Sequence, residues 1–551
     1  MMTMKKYILF FACLLAFTAC SYEDESSDIT NPIPDMSIDT ISVSTVQKVA
    51  YEETLSLAPK VSGGTGAGYE YEWRLGLKTG SLETYRVLST EPTLEYVADQ
   101  KPDVNPYKLW FRVTDLESGV MRGVVYDLYI GGINTNGLAV AYSRDGQTSD
   151  IDVIEDNWFT VDYANGVTPS YRRNIYSKTN GENFNGVIKK MYDSKNYYNG
   201  AQQYFMTVIS DHNMGRLTGL DYELIAQGQD LFWDPLGSNP YYGDCYFTEM
   251  DVAVVDGKTH GRFAEAEDQI GFTKYTTPNK GTFTVNGPVV VAYSSEGYRY
   301  SQDLFFDNTN GCFQSILNHR PNNSHMARTY YKATYTEEQF KAAYQPYVDM
   351  GMVTQDWLDS YVAETAATGA FTSWPAEMQT FMQAANLKQY DCIASGMNSG
   401  GSGSFILKNG SDVRMIAIPF YGLYLGADLR DLSSAPGISG AVGFYVCRNQ
   451  NIIYYATSSK IYAMSFPSAG GIEVKEVYSS STPITHLWGF EQPLYTNMSM
   501  NRKAIIISTY SGSEGSIVTI PIGNIGNGTL DASSARTYTG FGQISAVCIQ
   551  D

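Results

Sequence analysis

Ile452-Ile453-Tyr454-Tyr455-Ala456-Thr457-Ser458-Ser459-Lys460-Ile461-Tyr462-Ala463-Met464 places two apolar runs on either side of a short polar turn. Each run is too short for a helix, and its β-branched and aromatic residues favour strands. The stretch reads as the inner hairpin of a β-propeller blade. Similar runs precede and follow it: Gly137–Ser143, Gln203–Ser210, Val289–Ser294, Asp303–Phe306, Gly311–Ile316, Ser404–Leu407, Val413–Pro419, Ala441–Cys447, Lys503–Tyr510 and Ser516–Pro521. Asn-Gly pairs at 180–181, 310–311, 409–410 and 527–528 supply hairpin-turn chemistry. At about 50 residues per blade, roughly seven blades fit into residues 134–551. No clean period emerges, and a second sandwich plus a barrel is the rival architecture.

One insertion interrupts this pattern at 335–388. Thr336-Glu337-Glu338-Gln339 is a capping-box start, and Phe340, Tyr344 and Val348 follow at helical spacing. Pro346 is expected to cut that helix short. Thr354 opens a second helix carrying Trp357, Leu358, Tyr361 and Val362, and Pro375 starts a third with Met378, Phe381 and Met382.

Upstream, residues 39–131 read as a small immunoglobulin-like β-sandwich. Ile41–Val43 and Thr54–Leu57 are short strands, and Tyr69-Glu70-Tyr71-Glu72-Trp73 alternates. Thr93–Val97, Lys108–Asp115 and Val124–Ile130 complete the set, with turns at Gly63-Gly64, Glu91-Pro92, Asn105-Pro106 and Ser118-Gly119. The whole chain is thus expected to be all-β, a sandwich followed by a propeller-like domain. Its 43 Tyr and 50 Gly suit strands joined by many turns.

The first residues give an address. Lys5 and Lys6 precede about a dozen apolar residues, and Thr18-Ala19-Cys20 closes the segment. This is a secretory signal over residues 1–19 whose cleavage site is a thiol. It resembles the bacterial lipobox, with Phe17 where that motif usually has Leu. Cys20 is then the lipid-attachment residue, and residues 20–38 are a flexible tether stiffened by Pro32 and Pro34. Ser21–Asp28 is acidic, and resembles the export signal that directs Bacteroidetes lipoproteins to the outer face of the outer membrane.

The order Leu57-Ala58-Pro59, Tyr71-Glu72-Trp73, Ser89–Leu94 and Tyr107–Asp115, running on into Gly137–Ser143, resembles the PKD-like (polycystic kidney disease-like) module of Bacteroidetes lipoproteins. That resemblance implies an accessory surface lipoprotein working with a Sus-like (starch-utilisation-system-like) TonB-dependent transporter and its lidding lipoprotein.

Charge and composition exclude some functions. The formal charge is −20, and removing Lys5 and Lys6 with the signal makes the mature chain more acidic still. Phosphate binding needs a basic stripe, so no nucleic acid is expected as a partner. Cys245, Cys312, Cys392, Cys447 and Cys548 are odd in number and far apart, which disfavours a disulfide framework. None of the five histidines sits in a zinc motif, and only His319 and His325 are loosely spaced for ligation. No cofactor, metal site or catalytic residue is assigned. The acidic cluster Asp145, Asp150, Asp152, Glu155 and Asp156 reads as a solvated loop, and Ser143–Thr148 is a weak match to the Asp-box turn of sialidase-like propellers.

Aromatic residues in turn-rich stretches are the better signal. Tyr192, Tyr197, Tyr198 and Tyr204 surround Asn196 and Asn199. Phe232, Trp233, Tyr241 and Tyr242 surround Pro235, Asn239 and Pro240. Ring faces stack on sugars, grip extended peptides or anchor partner proteins. Tyr197, Tyr198, Trp233, Tyr241 and Tyr242 are therefore the candidate binding residues for a glycan, an oligopeptide or a partner subunit. They could also simply cap propeller rims. The expected function is non-enzymatic nutrient capture at the cell surface. A propeller-type surface glycosidase, needing two convergent carboxylates, and a purely structural scaffold of the import complex are the alternatives.

Overall fold

A computed structural model of the chain describes residues 35–550. Not described are positions 52, 102, 104, 220, 280 and 469, and segments 132–136, 161–168, 199–200, 248–249, 264–273, 293–300, 319–327, 330–336, 368–375, 420–427 and 492–499. Cys20, the signal segment, His319 and His325 lie outside the described residues. The chain divides into two compact units between Gly131 and Gly132.

The first unit is a β-sandwich of β1 (Met36–Ile38), β2 (Val46–Ala50), β3 (Thr54–Leu57), β4 (Val61–Gly63), β5 (Tyr69–Lys78), β6 (Ser81–Ser89), β7 (Leu94–Val97), β8 (Tyr107–Asp115) and β9 (Met121–Gly131). One sheet runs β2-β9-β8-β5-β6, with β2 parallel to β9; two-stranded pairs β3-β7 and β1-β4 accompany it. The alternation seen in the sequence sets the core: Trp73, Leu75, Leu109, Phe111, Val113, Tyr126 and Leu128 point inward against Met36, Leu55, Leu57 and Leu94. Met36–Ile38, expected in the tether, is a strand of the sandwich paired with Val61–Gly63 and buries Met36 in its core, whereas Ile41–Val43 is not a strand. The Asp39 carboxylate accepts the Ile41 and Ser42 amides and the Ser42 hydroxyl, so a local turn replaces ladder pairing, and Ile41 is left in solvent.

The second unit is a seven-bladed propeller. Blade 1 joins Gly137–Ser143, Thr148–Glu155 and Ser170–Arg172 to the last strand of the chain, Gln543–Gln550. Blades 2 to 7 follow in order, starting at Ile188–Tyr198, Tyr242–Phe247, Asn286–Ala292, Asp391–Met397, Gly443–Val446 and Ile484–Gly489. Within each sheet neighbouring strands are antiparallel, and the first strands of adjacent sheets from blade 2 through blade 7 touch one another. Gln543–Gln550 takes the innermost place in blade 1, beside the first strand of blade 2, and so closes the ring.

Seven separate hydrophobic clusters lie between the seven pairs of neighbouring blades. Middle strands are therefore buried on both faces. This is why Gly137–Ser143 and Ile452–Ala456 read as unbroken apolar runs rather than alternating ones. Ile452–Ala456 and Lys460–Ser465 are the second and third strands of blade 6. The stretch that announced the fold is thus the central hairpin, and Gly443–Val446 is the inner strand.

Buried polar ties supplement the apolar clusters. Between blades 2 and 3, Asp251 takes both Arg216, at 2.7 Å, and Arg262, and the Tyr275 hydroxyl lies 2.8 Å from Arg216. Between blades 1 and 7, Asp156 accepts Arg536 at 2.7 Å and the Tyr538 hydroxyl at 2.9 Å.

Helices are few among the described residues. α1 (Ile175–Asn180) leads from blade 1 to blade 2. α2 (Glu337–Asp349), α3 (Gln355–Ala367), α4 (Ala376–Phe381) and α5 (Ala384–Leu387) form the connection from blade 4 to blade 5. Pro346 does not end α2; it sits inside the helix, and its carbonyl accepts the Met350 amide at 3.0 Å. Asn180-Gly181 is not a hairpin turn but the end of α1, where Gly181 adopts φ +79°.

Candidate functional site

Each inner strand begins at one end of the ring, which also receives the connections arriving from the preceding blade. The connection from blade 2 to blade 3, residues 228–241, carries two of the exposed aromatic residues, Trp233 and Tyr241. A 3-10 turn at Gly228–Leu231 buries Leu231 and turns Phe232 onto Tyr275, with ring centroids 5.1 Å apart. Tyr275 donates its amide to the Leu231 carbonyl at 2.8 Å, and Trp233 donates to the Tyr275 carbonyl at 3.1 Å. The Gln229 amide spans the turn beyond, donating to the Asp234 carbonyl at 2.9 Å and accepting the Leu236 amide at 2.6 Å. The backbone is therefore fixed while the Trp233 indole stays 62% exposed, with the Lys274 ammonium 5.8 Å from its ring centre.

Tyr241 sits immediately before the inner strand of blade 3. Its amide donates to the Asp256 carboxylate at 2.8 Å, and the Asp256 amide returns to the Tyr241 carbonyl at 2.9 Å. Asp256 belongs to the neighbouring hairpin turn and holds φ +50°, a conformation Asp tolerates better than most residues. The Tyr241 ring is also 62% exposed. The Lys189 ammonium, from the bulge at the start of the blade 2 inner strand, lies 4.4 Å over it.

Tyr242 belongs elsewhere. Successive strand residues face opposite ways, so exposing Tyr241 buries Tyr242. It is 2% exposed, packs with Ile209, Met214, Cys245 and Val255, and burial raises its hydroxyl pKa. It is a core residue and not, as the sequence suggests, part of an exposed binding surface. Tyr197 and Tyr198 lie on the blade 2 inner strand, paired with Gln202 and Ala201. Nine residues separate Lys189 from Tyr198, roughly 30 Å of extended strand, so the backbone puts these two tyrosines at the opposite end of the ring from Trp233 and Tyr241.

Below Tyr241, Lys190 pairs with Asp244, whose second oxygen accepts the Val289 amide at 3.1 Å. One carboxylate thus joins the inner strands of blades 2, 3 and 4. Burial works against the Lys190 charge, but Asp244 overrides it and leaves the ammonium pKa above its ordinary value.

The acidic cluster near residue 150 is not a solvated loop. Thr148–Glu155 is a strand of blade 1, and Asp150, Asp152 and Asp156 are buried. Asp152 accepts Arg173 at 2.8 Å, the Asn174 amide at 2.7 Å and the Tyr142 hydroxyl at 3.0 Å; burial nonetheless raises its carboxyl pKa. Asp145 holds the turn before it, accepting the Gln147 and Thr148 amides at 2.8 Å. These carboxylates are committed to structure.

His260 and His486 are held below the ordinary imidazole range by burial. Among the described residues, no three His, Cys, Asp or Glu side chains converge on a possible metal position. Lys189, Lys274 and Asp256 were not singled out from the sequence. Only the Asp256-Gly257 pair, a hairpin-turn dipeptide between two short runs, could have drawn attention to them.

No curated protein matches the chain. Solved structures that resemble it include the β-propeller domain of Cps50 (Swd1) from Myceliophteria thermophila, at 10% identity over 61% of this chain and 82% of that one, TM-score 0.32. Virginiamycin B lyase from Staphylococcus aureus matches at 9% identity over 64% and 83%, TM-score 0.32. Apo AztD from Citrobacter koseri matches at 9% identity over 88% and 99%, TM-score 0.31. Likeness this distant says nothing of activity, and the propeller assignment rests on the strand order and the interblade clusters. The profile of the PKD-like family matches residues 20–187, ending one residue before the inner strand of blade 2, so the chain carries a PKD-like domain at its N-terminal end.

Proposed function

We propose that the chain is a lipid-anchored, non-enzymatic cell-surface protein. In this reading it captures a glycan or an oligopeptide at the Trp233–Tyr241 end of the propeller and acts beside a Sus-like TonB-dependent transporter and its lidding lipoprotein. The observation that carries the binding role is the pair Trp233 and Tyr241. Both rings are largely exposed, yet both sit on backbone pinned by hydrogen bonds, with a lysine over each and Asp256 beside Tyr241. Exposed rings on a fixed backbone offer stacking area at little ordering cost. Lysine and aspartate beside the rings suit hydroxyl, amide and carboxylate groups of a polar ligand.

The anchor is assigned to Cys20, on the outer face of the outer membrane. It would confine the binder near its transporter, so that modest site affinity becomes useful avidity. Glycan and peptide arrays probed with soluble residues 21–551 test the capture role. Binding to one ligand class, lost in Trp233→Ala and Tyr241→Ala, is the expected result; wild-type levels in both variants would remove the site. For the anchor, Cys20→Ala should leave the protein released from the membrane or unprocessed, and a processed Cys20→Ala form that stays membrane-bound contradicts lipid attachment there.

A further inference from the structure

The connection from blade 4 to blade 5 contains a feature that nutrient capture does not use. α2 and α3 form an antiparallel helical hairpin, each helix 13 residues long and so about 20 Å from end to end. Among the described residues its hydrophobic cluster is drawn from the two helices: Phe340, Leu358 and Val362 are buried, with Tyr344, Val348 and Tyr361 against them. The helices therefore hold each other.

The turn between them is well formed. Gly351, at φ +69°, ends α2; its amide donates to the Val348 carbonyl at 2.9 Å and the Met352 amide donates to the Tyr347 carbonyl at 2.9 Å. The Thr354 hydroxyl accepts the Trp357 amide at 3.1 Å and caps α3. This ordered turn presents apolar side chains to solvent. Met350 is 54% exposed, Met352 67% and Trp357 42%. Clustered exposed apolar groups on a soluble domain mark a contact surface, and methionine adapts to the shape it meets.

The flanks are acidic. Glu337, Glu338, Asp349, Asp356, Asp359 and Glu364 lie on the hairpin against a single basic residue, Lys341, which pairs with Glu337 at 2.9 Å. Such a prong is repelled by anionic lipid headgroups. A second copy of this chain is a poor match as well, because the chain has 58 acidic residues against 38 basic ones.

We propose that the α2–α3 hairpin is a docking prong for a different protein, one that offers an apolar pocket for Met350, Met352 and Trp357 rimmed by lysine or arginine side chains. The apolar tip supplies the contact and the acidic flanks set orientation and encounter rate, so the contact is salt-sensitive.

The five cysteines Cys245, Cys312, Cys392, Cys447 and Cys548 are free; four of them are buried, and burial holds the thiol of the fifth, Cys548, well above its ordinary pKa, so an introduced surface cysteine is the reactive one. Affinity-tagged full-length chain carrying Met352→Cys is produced in its native cells, labelled in isolated envelopes with a maleimide-benzophenone and irradiated. Ser399→Cys, exposed on a turn at the opposite end of the ring, is the control. The expected result is a discrete adduct with a second polypeptide from position 352, absent from position 399. It should be lost in high salt and in Met352→Cys carrying Asp356→Lys and Asp359→Lys, both exposed positions that leave the hairpin core intact. Absence of an adduct from position 352, an equal adduct from 399, an adduct indifferent to charge reversal and salt, a dimer of this chain, or a lipid adduct each overturns the proposal. None of these outcomes depends on Trp233 and Tyr241, so failure of the capture site and failure of the prong are told apart.

Discussion

Replacing Asp156 by alanine should loosen the closure of the ring. Asp156 is 2% exposed and lies just beyond the third strand of blade 1. It accepts Arg536 through both oxygens at 2.7 Å, the Tyr538 hydroxyl at 2.9 Å and the Trp158 amide at 2.7 Å. Arg536 and Tyr538 belong to blade 7, 380 and 382 residues away in the chain. Removing one member of a fully buried ion pair costs about 3–5 kcal/mol. Here Arg536 keeps 35% side-chain exposure and can turn to water, so the ionic part shrinks. Tyr538 is 1% exposed, so its hydroxyl cannot, and an orphaned buried hydroxyl costs about 1–3 kcal/mol. A total of about 2–4 kcal/mol follows. Amide hydrogen exchange reads this directly, because local opening is measured segment by segment. Exchange in Gln543–Gln550 and Gly137–Ser143 should quicken by roughly 30- to 700-fold at about 1.4 kcal/mol per decade. Asp156→Asn, which keeps an acceptor, should show a smaller effect. Wild-type protection of both segments in Asp156→Ala would refute the idea that this carboxylate helps lock the ring.

Three further outcomes are expected. Tyr242→Ala should destabilise the propeller by about 3–5 kcal/mol in urea unfolding, whereas Trp233→Ala and Tyr241→Ala should stay within about 0.5 kcal/mol of wild type; equal costs would mean that the faces are misassigned. Asp115 accepts the Thr65, Glu117 and Ser118 amides, and these bonds, the Ser118 and Thr65 backbone ones above all, hold its carboxyl well below the ordinary range. Its folded-state pKa is depressed, so its stabilisation is complete above about pH 4 and is lost as the pH falls further. Acid unfolding of the sandwich should therefore lose part of its pH dependence in Asp115→Asn, and an unchanged profile would contradict this. Burial pushes the Cys245, Cys312, Cys392 and Cys447 thiols up to about 12, so an aromatic disulfide reagent should find them unreactive until urea unfolds the chain.

What the sequence reveals follows from how local each signal is. Middle strands such as Ile452–Ala456 and Ala504–Tyr510 are buried on both faces, so their unbroken apolar character is visible in the residues themselves. The strand Thr148–Glu155 was hidden because Asp150 and Asp152 look like solvent residues. Their partners Arg173, Asn174 and Ser177 stand 21 to 27 residues on, and only the fold brings them close. Ring closure is less local still, because Gly137–Ser143 and Gln543–Gln550 meet across almost the entire propeller. At the candidate site, composition finds the aromatic residues but not their phase. Tyr241 and Tyr242 differ only in which way the strand turns them, and the Asp256 turn that pins Tyr241 is fifteen residues later. Tyr197 and Tyr198 share a composition with that site but not an end of the ring.

Calorimetric titration of soluble residues 21–551 with the best ligand from the arrays puts the capture site to its sharpest test. The wild type should bind, and Trp233→Ala and Tyr241→Ala should each weaken binding by more than about 1 kcal/mol, the cost of truncating an aromatic anchor of a binding site, with Tm unchanged. Wild-type affinity in both variants, or lost affinity accompanied by lost stability, would contradict a binding site at this end of the propeller.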